Sequence, residues 1–251
     1  MKNFNLVFIF LLSFGYLHCQ TAGQLSATSS QGTGYSQALV NQMSGDIRNQ
    51  EEILSASTGI DEFAGSPYVN DTFKPVNVYY ENDLMDKLYY RYNALNEEIE
   101  IKKTALPEET PLRLLADKAI HLDVEGNPLS FKTFIDHKKN TLNGYLTLMV
   151  DGESYDLYRR VRVKFTEGQK AQNSFVMAKP NRFSHFIEYY YQKKGVDRID
   201  ELKTTNSGLL KILPSELKIE TKQFLKEKDL NLKEEQDLIK VFQFLNTVAK
   251  N

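Results

Sequence analysis

Tryptophan is absent from this 251-residue chain, and Cys19 is its only cysteine. One cysteine cannot close an intramolecular disulfide, so the fold must rest on its core, which a chain of this length can build. Charge of one sign is also lacking: 31 basic residues face 33 acidic ones, for a formal net of −2. No Lys/Arg tract stands out, which argues against a nucleic-acid surface, since phosphate contacts need concentrated positive charge. After Leu12 there is no apolar run long enough to span a bilayer as a helix.

The signatures of familiar chemistry are missing as well. Beyond residue 19 the only histidines are His121, His137 and His185, and none stands in His-x-x-x-His or His-Glu-x-x-His spacing. His121 falls on the polar side of its segment and reads as solvated, while His185 shares a side with Phe183 and Ile187 and reads as half-buried. There is no Gly-x-Ser-x-Gly elbow, no phosphate loop and no dinucleotide fingerprint; Gly32-Thr33-Gly34 precedes no strand-to-helix unit. No catalytic residue, metal ligand or cofactor is therefore expected. A hydrolase remains conceivable only as a site scattered through the fold.

What is present begins with an export signal. Lys2 precedes the apolar run Leu6–Leu12, too short for a stable anchor, and small and polar residues follow. The expected cut lies after Cys19, so 1–19 is a signal peptide. The rival reading makes Cys19 a lipidated first residue, but His18 stands where a lipobox has a small side chain. A chain so poor in cysteine points away from an animal extracellular module and toward a bacterial one.

Residues 20–58 form an arm rich in Gln, Ser, Thr and Gly, expected to be flexible or to order on a partner. Residues 59–205 carry strand signals. Val and Tyr recur in Asn77–Tyr80 and Leu88–Tyr92. In 97–102, Ile99 and Ile101 alternate with Glu98, Glu100 and Lys102, which places the two glutamates on an exposed side. Ile120, Leu122 and Val124 alternate too, and Leu129–Ile135 is largely apolar. Tyr145–Val150 runs into Asp151-Gly152, a hairpin signal, and returns as Tyr155–Phe165. Phe183–Tyr191 and Val196–Leu202 make a last pair around Lys194-Gly195. Residues 206–251 turn helical: Ser207–Leu213, a second helix opened by Pro214, and a third with Asn231 three positions before Glu234, like a capping box. Leu238, Val241, Phe242, Leu245 and Val248 give that last helix one apolar stripe. The expected class is α+β, an antiparallel sheet or partly open barrel followed by a C-terminal helical segment.

Two groups suggest a contact surface. Tyr79, Tyr80, Tyr89, Tyr90, Tyr189, Tyr190 and Tyr191 lie in strands, where alternation would bury one row and display the other. The plainer reading is strand propensity. Arg160, Arg162 and Lys164 share one side of their strand and could face a lipid head group or an acidic partner. The plainer alternative pairs them across strands with carboxylates such as Glu98 and Glu100.

Three stretches carry a resemblance: Gly65-Ser66-Pro67-Tyr68-Val69-Asn70-Asp71 with Phe73, Arg91-Tyr92-Asn93-Ala94-Leu95-Asn96-Glu97-Glu98-Ile99-Glu100, and Leu225 to Asn246 with Leu230-Asn231-Leu232-Lys233-Glu234-Glu235. Together they resemble uncharacterised exported proteins of the Bacteroidetes, especially flavobacteria. The resemblance implies a periplasmic or outer-membrane-associated setting and brings no activity with it. The helical end departs from the β-rich sorting domain of that phylum's type IX cargo, and there is no terminal aromatic strand of an outer-membrane barrel. The function expected is that of a non-enzymatic accessory or binding protein of the cell envelope with a protein partner, docked on an outer-membrane complex. A carrier of a small apolar or lipid ligand is the alternative, and would need a cavity lined by Ile99, Ile120, Phe131, Val161 and Phe165.

Overall fold

Between residues 59 and 205, β-branched and aromatic side chains recur with polar ones between them, and Asp, Asn and Gly punctuate the runs, a pattern that favours short paired strands. The computed structural model describes residues 43–45, 54–55, 57–171, 173 and 175–249, all within one compact unit, Thr33–Asn251. Residues 1–19, expected to be a signal peptide, and nearly all of the expected N-terminal arm lie outside the described residues.

The strands in chain order are β1 (Ser44–Gly45), β2 (Phe63–Ala64), β3 (Lys74–Tyr80), β4 (Asp83–Asn93), β5 (Glu98–Lys102), β6 (Leu112–Leu114), β7 (Ile120–Val124), β8 (Asn127–Ile135), β9 (Thr141–Val150), β10 (Tyr155–Thr166), β11 (Asn181–Lys193) and β12 (Ile199–Leu202). Three helices follow: α1 (Asn206–Ile212), α2 (Ser215–Glu227) and α3 (Glu235–Val248). The class is α+β, as expected. The short strands β1, β2 and β6 carry no signal of their own, being two or three residues long.

β3 to β6 form an antiparallel meander with β1 at its edge, and β3 also pairs with β7. β7 turns into β8 through Glu125 and Gly126, both at positive φ, the geometry that hairpin turns favour. From β8 the pairing runs antiparallel through β9, β10, β11 and β12. β12 then returns to β8 through a single parallel pair, Asp200 with Ile135. These five strands are ring-like, but one residue pair does not make the continuous seam of a barrel.

Three cores result. Val78, Tyr92, Ile99, Ile101, Leu122, Tyr145 and Phe183 pack between the meander and one end of β8–β11. At the other end of the same face, Tyr155, Leu157 and Tyr189 meet the helices. Inside the ring lie Phe134, Leu146, Tyr158, Tyr190 and Ile199. Leu238, Val241, Phe242 and Leu245 of α3 are completely buried, so the stripe read from the sequence faces the sheet. Burying each such side chain contributes about 2–3 kcal/mol.

Two local expectations need correction. Asp151-Gly152 is not a two-residue hairpin turn: β9 and β10 resume pairing at Val150 and Leu157, with a bulge beside them. Gly152 is needed for space instead, because any Cβ there would run into the Asn246 side chain. Nor is Asn231 the cap of α3. The cap position is Glu234, which makes no side-chain capping bond. Asn231 closes a turn just ahead, its oxygen accepting from the Lys233 amide at 3.2 Å, while its own amide donates to Asp237 at 3.1 Å.

Candidate functional site

The basic set on β10 divides at Arg160. Even positions of this strand point into the ring as far as Arg160 and into solvent beyond it, so Arg160 is 4 % exposed while Arg162 and Lys164 are open. The Arg160 guanidinium sits 4.7 Å above the Phe134 ring. It donates to Glu97 and, at 3.1 Å, to Glu188, which also accepts from Arg162 at 2.9 Å and from the Tyr190 hydroxyl at 3.0 Å. Burial opposes the Arg160 charge, but Glu97 and Tyr190 together outweigh it and hold its pKa above the ordinary value. Arg160 is therefore a buried tie between two carboxylates and cannot meet a partner. Its partners are Glu97 and Glu188, not Glu98 and Glu100. Glu97 reaches it from a tight turn at φ 56° and lies against Gly144, where a side chain would not fit.

Glu100 is 2 % exposed, against the expectation of an open acidic side. Arg91 pairs with it at 2.6 Å and the Tyr68 hydroxyl donates to it at 3.1 Å. The Arg91 guanidinium lies 3.7 Å from the Tyr68 ring centroid and 4.6 Å from that of Phe73. Backbone bonds from Val69 to Tyr92 and from Ala94 to Pro67 lock the two segments together. Two of the three stretches singled out in the sequence are thus one packing unit, an arginine held between aromatic faces over a buried carboxylate. Glu98 pairs with Arg113 at 3.2 Å.

The third stretch ties helix to sheet. Asn246 accepts from the Ser154 and Tyr155 amides and donates to the Tyr155 and Phe242 carbonyls, all at 2.8–2.9 Å. Glu235, at the start of α3, accepts from Arg159 at 3.1 Å and from the Tyr189 hydroxyl at 3.0 Å.

The tyrosines are mostly interior. Tyr90, Tyr189 and Tyr190 are buried, which removes them from any contact surface. The display of alternate rings fails at Tyr189–Tyr191 because the helices cover one face and the curled ring encloses the other, with Tyr191 packed on the helical core. Burial raises the pKa of Tyr90 and Tyr145 to about 12, so both phenols stay neutral. Tyr79 and Tyr89 are half-buried, and only Tyr80 is open.

His121 is half-buried rather than solvated, stacked on Tyr79 with centroids 4.8 Å apart. Burial, and then Lys132, depress its pKa. His137 binds Glu201 at 3.0 Å, and His185, exposed rather than half-buried, binds the Ser66 carbonyl at 2.9 Å. Among the described residues, no group of three or more His, Cys, Asp or Glu side chains could hold a metal ion.

A cavity of about 40 Å³ lies where the meander meets β8–β10, bounded by Val69, Tyr90, Arg91, Leu129, Tyr145 and Arg159. It has room for a few waters but not for a lipid chain. Of the five residues a carrier would need there, only Val161 lines it; the others are packed into the core. An open groove of about 700 Å³ lies beside the β8–β12 junction, with Phe134 and Ile199 on its floor and Lys118, Lys132 and Arg198 on its rim.

The feature the sequence reading passed over is the arm formed by β10, β11 and their connecting loop. The ladder continues past the strands through Gln169 with Lys179 and Asn173 with Val176. At its end Phe175 is 94 % and Met177 87 % exposed. Five of the eleven large apolar side chains exposed among the described residues lie on this arm: Phe175, Val176, Met177, Phe186 and Ile187. The signal was an apolar triplet, Phe175-Val176-Met177, inside an otherwise polar loop.

Comparison with protein-family models, curated proteins and solved structures gave no match.

Proposed function

We propose that this chain is a non-enzymatic accessory or binding protein of the bacterial cell envelope, exported to the periplasm or the inner face of the outer membrane, and that it docks through the β10–β11 arm. The observation that carries this is a division of labour among its surface groups. Arg91, Arg159, Arg160 and Glu100 are taken up in internal ion pairs that hold elements together. Of the large apolar side chains left open among the described residues, five lie instead on one hairpin, three of them together at its apex, the pattern of a docking surface. Among the described residues no helix is long and apolar enough to cross a membrane.

The test is affinity capture of the tagged chain from envelopes solubilised in several mild detergents, beside cell fractionation. A fixed co-purifying envelope component is the expected result. Recovery of the chain alone under every condition, or its retention in the cytoplasm, contradicts the reading.

A further inference from the structure

The end of the β10–β11 arm combines two features. Phe175, Val176 and Met177 are exposed together at the apex, where Asn173 closes the turn by accepting from the Phe175 and Val176 amides at 2.9 and 3.1 Å. Behind the apex stand Lys170 and Lys179, with Lys164 and Arg182 further down the ladder, all exposed. None of these four joins an ion pair among the described residues, although Arg162, next along the same face, is paired with Glu188. The acidic residue closest along this loop is Glu167.

A solvated loop has no use for a fully exposed Phe and Met, and unpaired cations of one sign repel one another. Both costs vanish against a surface that is apolar a few ångströms deep and negatively charged above. That is an anionic bilayer, where aromatic and thioether side chains settle at the acyl boundary and lysines meet head-group phosphates. A protein partner would have to supply an apolar socket ringed by acids; a bilayer supplies both everywhere.

We infer that this arm is a membrane-docking hairpin for anionic lipid, with Phe175, Val176 and Met177 inserted at the interface and Lys170 and Lys179 against the head groups. The inference rests on the envelope-docking reading above and names what the arm touches. Of Arg160, Arg162 and Lys164, read in the sequence as facing a lipid head group or an acidic partner, the two arginines are held by Glu188, and Lys164 stands too far down the ladder to share the apex's surface.

The experiment is flotation of the chain starting at Gln20, which lacks the apolar Leu6–Leu12 run and keeps the whole compact unit. Vesicles of phosphatidylglycerol mixed with phosphatidylcholine are compared with phosphatidylcholine alone. Binding is expected only to the anionic vesicles, weakening as salt is raised. F175S/M177S should lower partitioning at least about tenfold. Glutamine at Lys170 and Lys179 should lower it about fivefold per charge and flatten the salt dependence. All four positions are exposed, and circular dichroism would show the variants folded. Failure of the wild type to float with anionic vesicles, or flotation of F175S/M177S like wild type, overturns the inference. If the wild type captures a protein partner that F175S/M177S loses while neither floats, the envelope-docking reading stands and the lipid inference falls. If neither partner nor vesicle is bound, both fall.

Discussion

Arg160 and Glu97 form an ion pair in which the guanidinium side chain is only 5 % exposed, joining the middle of β10 to the turn that opens β5. Removing one partner of such a pair leaves a charge in poor surroundings, which costs more than the pair itself contributes. Glu97→Ala should destabilise the chain by about 3 kcal/mol, with Glu188 sparing it a larger loss. Adding Arg160→Met should recover part of that, because the stranded charge is gone. Urea unfolding of the four corners of this cycle measures the coupling; simple additivity would show that the two residues do not communicate.

Asn246 and Gly152 form a second interlocked pair. Asn246→Ala removes four bonds to backbone groups and should cost about 2–3 kcal/mol. Gly152→Ala should also destabilise, although its backbone is not at positive φ, because the new methyl displaces the Asn246 amide. In the Asn246→Ala background the Gly152→Ala penalty should largely disappear. Equal penalties in both backgrounds would mean that Gly152 serves the loop's own conformation.

His121 makes stability depend on pH. Burial against Tyr79, then repulsion from Lys132, hold its pKa below the ordinary 6.5, and Asp123 opposes them only in part. The unfolded chain therefore takes up the proton first. Its contribution is whole above 6.5 and is lost as pH falls through the depressed folded value. The denaturation midpoint should drop between neutral and mildly acidic pH, and His121→Gln should flatten that slope. An imidazole titrating above 6.5 by NMR would reverse the sign.

At the alkaline end the buried phenols act. Tyr90 and Tyr145 are raised to about 12, chiefly by burial, so they add stability below pH 10 that disappears as pH rises through the folded values. Phenolate absorbance of the native chain should lag behind that of the denatured chain over this range and catch up at unfolding. Tyr145→Phe should leave stability within about 0.5 kcal/mol, since its hydroxyl has no partner among the described residues.

How far the sequence could be read follows from the range of each interaction. The apolar row Leu157, Val161, Val163 and Phe165 and the stripe Leu238–Leu245 are local patterns that each mark a buried face, and both were legible, whereas the burial of Tyr158 and Arg160 on the other side of the strand was not. The burial of Glu100 was not, because it depends on Arg91 and Tyr68, 9 and 32 positions away. The same holds for Tyr189 and Tyr190. Alternation says that they face opposite ways, but not that the sheet curls round one face while helices cover the other. Gly152 looked like a turn residue, and only the folded chain shows that Asn246 occupies the space a side chain would take there, as Glu97 does at Gly144.

The helical face of the sheet has a temporal consequence. Leu157 on β10 is enclosed by a cluster that includes Leu245, so the two must meet across most of the C-terminal half. As the polypeptide is delivered from its N-terminal side, the row Tyr155, Leu157 and Tyr189 stays bare until α3 has followed. Native topology waits for that helix, and a holding chaperone has a defined apolar strip to grip in the meantime.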